Sequence, residues 1–533
     1  MLILIMVFVG CTYQEQEQEQ QEQKEEKVVE NKQPAQGGTL FLQAQRIDTL
    51  NPLFTESTSN AQVLQLIFDG LIAYDDAMDV VPVLAESWHV SEDGRTWVFN
   101  LREDIKWHDG TPFTANDVDF TFRLLRNRNV DSIYLRNIQY VSHFNVEDDY
   151  TFRVVLSQPY GSFMRMMDMP ILPKHVYEDL DLEDIKKHVE PIGTGAFKFV
   201  SYTAFKEIAL GANAQWWKGQ RPYIDEIIVK IIPDNDTALN ALQINEIQYV
   251  STNVVDWEKY SGKNNLKTHE YLTHYYEFIG VNFNNPVLSD VAVRRAIAYA
   301  LDRNKMVSEI LLGHAVITDV PILPKTTLYD ETANEYTYNM EKARQILAQA
   351  GWEDLNDEGV LYKQVEEGEA LALSFEIVTN DNNPVREKAA EYIVQQLNAI
   401  GMNVTLKKVA WDEINNQIEL NAFDAILTGY HLSPCADLSF AFHSGEIDRA
   451  ANFTSYANIE MDELLYQTFI AKDENAQKEA YNNLQHFIAR ELPFISLYFR
   501  TSAVVYHDDI KGDIQPISTN IYHGIENWYI VEE

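Results

Sequence analysis

His431, Cys435 and His443 lie close together in the chain, and a thiol flanked by imidazoles has the residue types of a base-activated nucleophile or a soft metal site. Nearness in one loop does not assemble a catalytic set, and these three read as incidental. The string Asp354-x-Asn356-x-Glu358-Gly359 opens like a calcium loop, but its twelfth position, which needs a bidentate Glu, is Val365, so it reads as a turn. Gly193-Thr194-Gly195 likewise reads as a turn before a strand. The chain contains no HExxH, no GxxxxGK[ST], no GxSxG and no strand-linked GxGxxG. A secreted hydrolase would need an oriented nucleophile or a metal set, and the sequence displays neither; no catalytic residue, metal or cofactor is called for.

The elements that remain must serve another purpose. At 533 residues the chain has room for about three to four domains. With 46% hydrophobic and 12% aromatic residues most of it must fold. Acidic residues number 81 against 42 basic, a net charge of −39. Nucleic acid, which demands a positive face, is thereby excluded as a partner. Two cysteines, Cys11 and Cys435, cannot build a disulfide framework.

Residues 1–10 (MLILIMVFVG) are almost wholly apolar, yet at ~1.5 Å per residue they cannot span a ~30 Å bilayer. They have the character of a signal-peptide core. The following Glu/Gln-rich stretch to Gln36 cannot form a core and reads as a solvated tether. Phe8-Val9-Gly10-Cys11 resembles a bacterial lipobox, which implies that Cys11 is diacylated and becomes the new N-terminus. It differs in having Phe8 where Leu is usual and no basic residue before the apolar run. Residues 1–36 hold seven Glu and three Lys, so about −35 of the charge belongs to the folded body and keeps it off anionic surfaces.

Periodicity predicts strands at GGTLFLQA, Ile224–Pro233 and Ile247–Val250, with a helix over Asp236–Ile244. Farther on, LALSFEIV (Leu371–Val378) alternates as a strand. Asn383-Pro384 then caps a helix with Ala389, Ile393, Leu397 and Ile400 on one face, stopped by Gly401. A strand (Met402–Val409), a helix (Asp412–Leu420) and a strand (Phe423–Thr428) complete β-α-β-α-β, the pattern of a parallel sheet. Two more helices open at Asp290 and Asn339, the second stopped by Gly351. Between about Val80 and Val200 the texture is richer in strands and turns, as in a separate domain.

One block, VPVLAESWHVSEDGRTWVFNLREDIKWHDGTPFTANDVDFTF (Val81–Phe122), resembles the signature of bacterial extracellular solute-binding proteins of family 5, the oligopeptide- and dipeptide-binding proteins of ABC importers. The likeness continues in order through PIGTGAFKFVSY (Pro191–Tyr202), Trp216–Ile247, SDVAVRRAIAYALDRNKMV (Ser289–Val307) and FDAILTGYHLSP (Phe423–Pro434).

The resemblance implies an α/β, two-lobed periplasmic-binding-protein-like fold, the large class II type with an extra inserted domain. Mapped onto this chain, 1–10 is a signal peptide and 11–36 the lipidated tether. Residues 37–75, 195–282 and 500–533 form lobe I, 76–194 the β-rich insertion, and 283–499 lobe II. The implied function is capture of oligopeptides between closing lobes for delivery to a membrane permease, by a monomer held outside the cytoplasm on the outer face of the membrane or in a periplasm. An oligosaccharide, opine or metal chelate is the alternative cargo. Family positions put Glu56, Thr58 and Asn253 on one wall and Trp411, Tyr430, His431 and Ser433 on the other. Relatives often carry an Asp at the position of Ser433 to neutralise a peptide ammonium; here Asp437 is the nearest acid and Glu56 the other candidate, and a cleft that neither reaches implies a cargo without a free amine.

Overall fold

A computed structural model describes residues 34–187, 190–356, 359–365, 369–449 and 451–531. The apolar N-terminus, Cys11 and nearly all of the tether lie outside the described residues, as does Glu358. Among the described residues no helix is long and apolar enough to cross a membrane.

Three sheets position the molecule. In the first, Thr39–Ala44 pairs in parallel with Glu226–Ile231, followed by Glu207–Ala212 and Phe197–Thr203. In the second, wholly antiparallel, the order is Ala85–Val90, Thr96–Leu101, Thr151–Leu156, Val141–Asp148. It is covered by helix Ala115–Leu125, whose Thr114 and Asp117 form a reciprocal capping box. This is the strand-rich texture expected between Val80 and Val200.

The third sheet has seven strands. Two long ones, Leu266–Val281 and Phe494–His507, run antiparallel side by side. Tyr249–Thr252 and Ala315–Ile317 pair with Phe494–His507. Beyond Leu266–Val281 come Ala425–His431, Ser374–Asn380 and Asn403–Val409, the last three mutually parallel as the β-α-β-α-β pattern required. Helix Pro384–Asn398 begins at the Asn383 cap, whose side chain accepts the Arg386 amide, and ends at Gly401 with φ +92°. Its Ala389, Ile393 and Leu397 pack with Ile279, Ile377 and Leu427 on one face of the sheet. Ile414, from helix Trp411–Glu419, packs with Phe278, Val378 and Ile426 on the other. The chain therefore leaves Ser374–Asn380 toward the edge, turns at Asn403–Val409 and returns past it to Ala425–His431.

Several element ends differ from those read in the sequence. The alternating run at Leu371 is interrupted at Leu373, and the parallel strand starts at Ser374. The last strand ends at His431, not Thr428, because its antiparallel neighbour continues beside it, pairing Tyr275 with His431. The strand expected at Ile247 starts at Tyr249, since Gln248 instead binds Phe41 of the first sheet through both its main-chain amide and its side-chain oxygen.

Candidate solute-binding cleft

Open α/β sheets bind ligands beyond the carboxyl ends of parallel strands, where the chain reverses its direction of travel across the sheet. Here those ends are Asn380, Val409 and His431, and Trp411 opens the helix immediately after the second. On the first sheet and its neighbour the corresponding ends are Ala44, which leads to Glu56 and Thr58, and Thr252, which leads to Asn253. Glu56 and Thr58 thus follow a parallel strand of the first sheet, and Trp411 and His431 parallel strands of the seven-stranded one, while Asn253 follows Tyr249–Thr252, whose neighbour Phe494–His507 runs antiparallel to it.

What lies between is an interruption of the two long strands. Leu272 pairs with Thr501 and Tyr276 with Phe499, so Thr273, His274 and Tyr275 bulge opposite Arg500 alone. The bulge is tied to its surroundings by polar bonds. Thr273 Oγ1 donates to the Arg500 carbonyl at 2.7 Å, and Arg500 Nη2 donates to the Asn253 carbonyl at 3.3 Å. The His274 carbonyl accepts the Leu432 amide at 2.9 Å, and its Nδ1 lies 2.8 Å from Ser518 Oγ. The loop carrying Ser518 also binds helix Thr58–Leu64, for Gln62 Nε2 and Gln65 Nε2 both donate to the Thr519 carbonyl. Asn253 is thereby linked to the bulge through Arg500, and helix Thr58–Leu64 through the loop carrying Ser518.

Around Glu56 the backbone is held by Asp48, whose carboxylate accepts the Glu56 and Ser57 amides, Thr55 Oγ1 and Asn60 Nδ2. Burial opposes ionisation of Asp48, but these hydrogen bonds outweigh it and hold the carboxyl below its ordinary range. Ser57 is consumed as the helix cap, accepting the Asn60 amide, while Glu56 and Thr58 stay exposed.

Strand alternation decides which residues of Gly429-Tyr430-His431 share a wall. His431 opposes Tyr275 and Gly429 opposes Glu277, all on one face; Tyr430 opposes Tyr276 on the reverse face. Tyr430 accordingly packs on Phe278 and Phe440, at 5.0 and 5.3 Å between ring centroids, and burial raises its hydroxyl pKa. His431 meets Tyr275 edge-to-face at 4.7 Å. Trp411 belongs to the His431 face, with the Arg386 guanidinium 5.7 Å from its ring centroid. Arg386 in turn forms a two-pronged pair with Glu277, 2.9 and 2.8 Å, and donates to Asn380 Oδ1 at 2.7 Å. Gly429 makes room for it: a Cβ there would stand 3.0 Å from Glu277 Cδ and 3.1 Å from Arg386 Nη2. Tyr275, Trp411 and Phe440 remain 45%, 38% and 38% exposed.

A family model described as "Bacterial extracellular solute-binding proteins, family 5 Middle" matches residues 79–448. The chain belongs to that family. Among known proteins similar to this family 5 chain is the oligopeptide-binding protein AppA of Bacillus subtilis, 29% identical over 510 residues, covering 94% of this chain and 93% of that one. The structure of Bacillus subtilis AppA with a nonapeptide superposes with TM-score 0.69 at 28% identity, covering 94% of this chain and all of that one. NikZ of Campylobacter jejuni, solved with Ni(L-His), gives TM-score 0.71 at 25% identity over 92% of this chain and 99% of that one. HbpA2 of Haemophilus parasuis, at TM-score 0.80 but 22% identity, covering 93% of this chain and 100% of that one, supports the two-lobed fold alone.

Ser433 and Asp437 of this family 5 protein line one small cavity with His274, Leu432, Arg165 and Met78. Asp437 Oδ1 accepts the Ser439 amide at 2.9 Å. Cys435, between them, is 4% exposed, and burial pushes its thiol pKa up. That is opposite to the shift an activated thiolate needs. His443 Nδ1 accepts the Gly445 amide at 2.9 Å and acts as a local cap. Among the described residues no group of three or more His, Cys, Asp or Glu could hold a metal ion.

Reading the sequence alone missed His274, Tyr275 and the Glu277–Arg386 pair. The run Thr273-His274-Tyr275-Tyr276-Glu277-Phe278 carries a signal, since an acid and a histidine inside a strand need partners, but nothing local identifies them. His274 is buried, and that burial first, with the neighbouring His431 second, lowers its pKa to about 3. Its folded pKa thus lies below the unfolded value near 6.5. The stability it contributes is complete above about pH 6.5 and drains as pH falls toward 3, by up to ~1.4 kcal/mol per pH unit. Denaturant titrations between pH 4 and 7 should show His274→Gln lacking that increment of slope relative to wild type; parallel curves would refute the assignment.

Proposed function

We propose that this family 5 protein captures oligopeptides between two lobes and delivers them to the permease of an ABC importer, tethered to the outer face of the membrane by diacylated Cys11. The observation that carries this reading is the bulge of residues 273–275 in the two long strands, to which Arg500 links Asn253 and the Ser518 loop links helix Thr58–Leu64, beside exposed Tyr275 and Trp411. Lobe I would comprise 37–75, 195–282 and 500–533, the insertion 76–194 and lobe II 283–499; the wholly antiparallel sheet lies within the insertion range. A ligand spanning the cleft touches both walls only when they approach, so it shifts the population toward the closed form that a permease can distinguish. AppA, solved with a nonapeptide, supports peptide as the cargo, and Asp437, which lines the cavity at Ser433, would meet its ammonium.

Native mass spectrometry of the purified protein should reveal co-purifying peptides, and mixed tetra- to nonapeptides should raise Tm, by RT ln(1 + [L]/Kd) in free energy. No Tm shift with peptides, but one with a nickel chelate or an oligosaccharide, would replace the cargo while leaving the transport role. No shift with any solute would refute the binding function itself.

A further inference from the structure

Two opposite charges from distant parts of the chain meet in the cavity at Ser433. Arg165, in the short helical turn Gly161–Met166, and Asp437 are the charged groups among its lining residues, His274 being held neutral by burial. The Arg165 side chain is only 12% exposed. Its Nη1 donates to the Met78 carbonyl at 2.8 Å. Its Nη2 forms a long ion pair with Asp79 Oδ1 at 3.9 Å, while Thr327 Oγ1 donates to the other Asp79 oxygen at 2.6 Å. A guanidinium carries five N–H donors, so one carbonyl and one long ion pair leave donors of Arg165 for a further acceptor.

The cavity volume is about 30 Å³. That holds roughly two water-sized groups, hence a carboxylate head but not a whole side chain. Pro321, Ile322, Leu323 and Leu328 supply apolar walls, which strengthen an ionic contact made inside. The position is informative too. Arg165 comes from the segment following the antiparallel sheet, whereas Ser433 and Asp437 follow the parallel strand Ala425–His431. A group bound between them is sensed by both sides.

We propose that Arg165 binds a carboxylate of the ligand next to the amine met by Asp437, so that the protein prefers peptides whose first residue is acidic. This rests on the peptide reading above. The specificity lies in Arg165, because Asp437 and the main chain treat all free amines alike.

Isothermal titration of ligand-stripped wild type and Arg165→Gln with Glu-Ala-Ala-Ala-Ala and Ala-Ala-Ala-Ala-Ala tests it. Wild type should bind the acidic pentapeptide at least tenfold more tightly, Arg165→Gln should lose that preference, and its affinity for the neutral peptide should stay within about threefold. Arg165→Lys should retain part of it. An equal preference in wild type and Arg165→Gln, or none in wild type, overturns the proposal while leaving peptide binding intact. Should wild type bind neither peptide, the peptide reading falls and the proposal with it. If Arg165→Gln fails to fold, the wild-type ratio alone decides, since its absence is sufficient refutation.

Discussion

Replacing Arg386 by Met is expected to lower stability by about 3–5 kcal/mol, because it strands the Glu277 carboxylate in the interior. Both side chains are nearly inaccessible, at 10% and 7% exposure, and the pair makes two short contacts. The Glu277 carboxylate faces Gly429 and Arg386, so the variant cannot turn it to water without moving strand Ala425–His431. The double variant Glu277→Leu/Arg386→Met should recover most of the loss, since removing both charges also removes the desolvation cost. The chain has several cores and need not unfold in one step. Hydrogen exchange over 275–281 and 384–398 is therefore the sharper measurement, and faster exchange should be confined there. A single variant within 1 kcal/mol of wild type, or a double variant as damaged as the single one, would refute the account. Trp411 would also lose the cation beneath its ring, so ligand affinity should fall along with stability.

Gly161→Ala is expected to hold the antiparallel sheet's side of the molecule away from helices Ile459–Ile470 and Glu474–Glu491. A Cβ at Gly161 would stand 1.8 Å from the Ala471 carbonyl oxygen, where ordinary contact begins near 3.4 Å, and the obstacle is main chain that cannot rotate aside. The contacts made at this junction show what separation forfeits. Tyr140 and Tyr160 pack on Phe469 at 5.2 and 4.7 Å between ring centroids. Ser162 Oγ donates to the buried Cys435 carbonyl at 3.0 Å, Gln477 Nε2 to the Gly161 carbonyl at 2.9 Å, and Lys472 Nζ to the Glu92 carbonyl at 2.7 Å. At ~0.5–1.5 kcal/mol for each aromatic pair and ~1 kcal/mol for each hydrogen bond, several kcal/mol favour the approach of the two sides. Apparent affinity scales with the fraction of molecules able to close, so losing even part of this should weaken ligand binding at least tenfold. Small-angle scattering with saturating peptide should show a larger radius of gyration than wild type. Unchanged affinity and an unchanged radius would mean that these contacts play no part in closure.

The helix ends that could be read from the sequence are set by residues within one turn of the end. Asn383-Pro384 with Gly401 and the Asp290 and Asn339 caps all act through hydrogen bonds to neighbouring amides or through a single left-handed glycine. The parallel order of the last three strands was legible for a similar reason, since a helix between strands leaves few alternatives. Strand ends were read less well. A strand stops where its partner stops, and the three extra residues to His431 depend on Tyr275, which belongs to a distant segment.

The same division runs through the cleft. By itself the sequence determined the fold family and the acidity of the folded body, since these follow from ordered motifs and from composition. Only the tertiary structure decided that Tyr430 and His431 lie on opposite faces of their strand against Tyr276 and Tyr275, because that depends on the register against Leu266–Val281. It alone supplied the reason for Gly429, which is a glutamate and an arginine packed where a side chain would stand. It alone brought Arg165 to the cavity of Ser433 and Asp437. Each of these is a long-range pairing of charges or faces, and a burial cost that is met by a partner hundreds of residues away leaves no trace in local spacing.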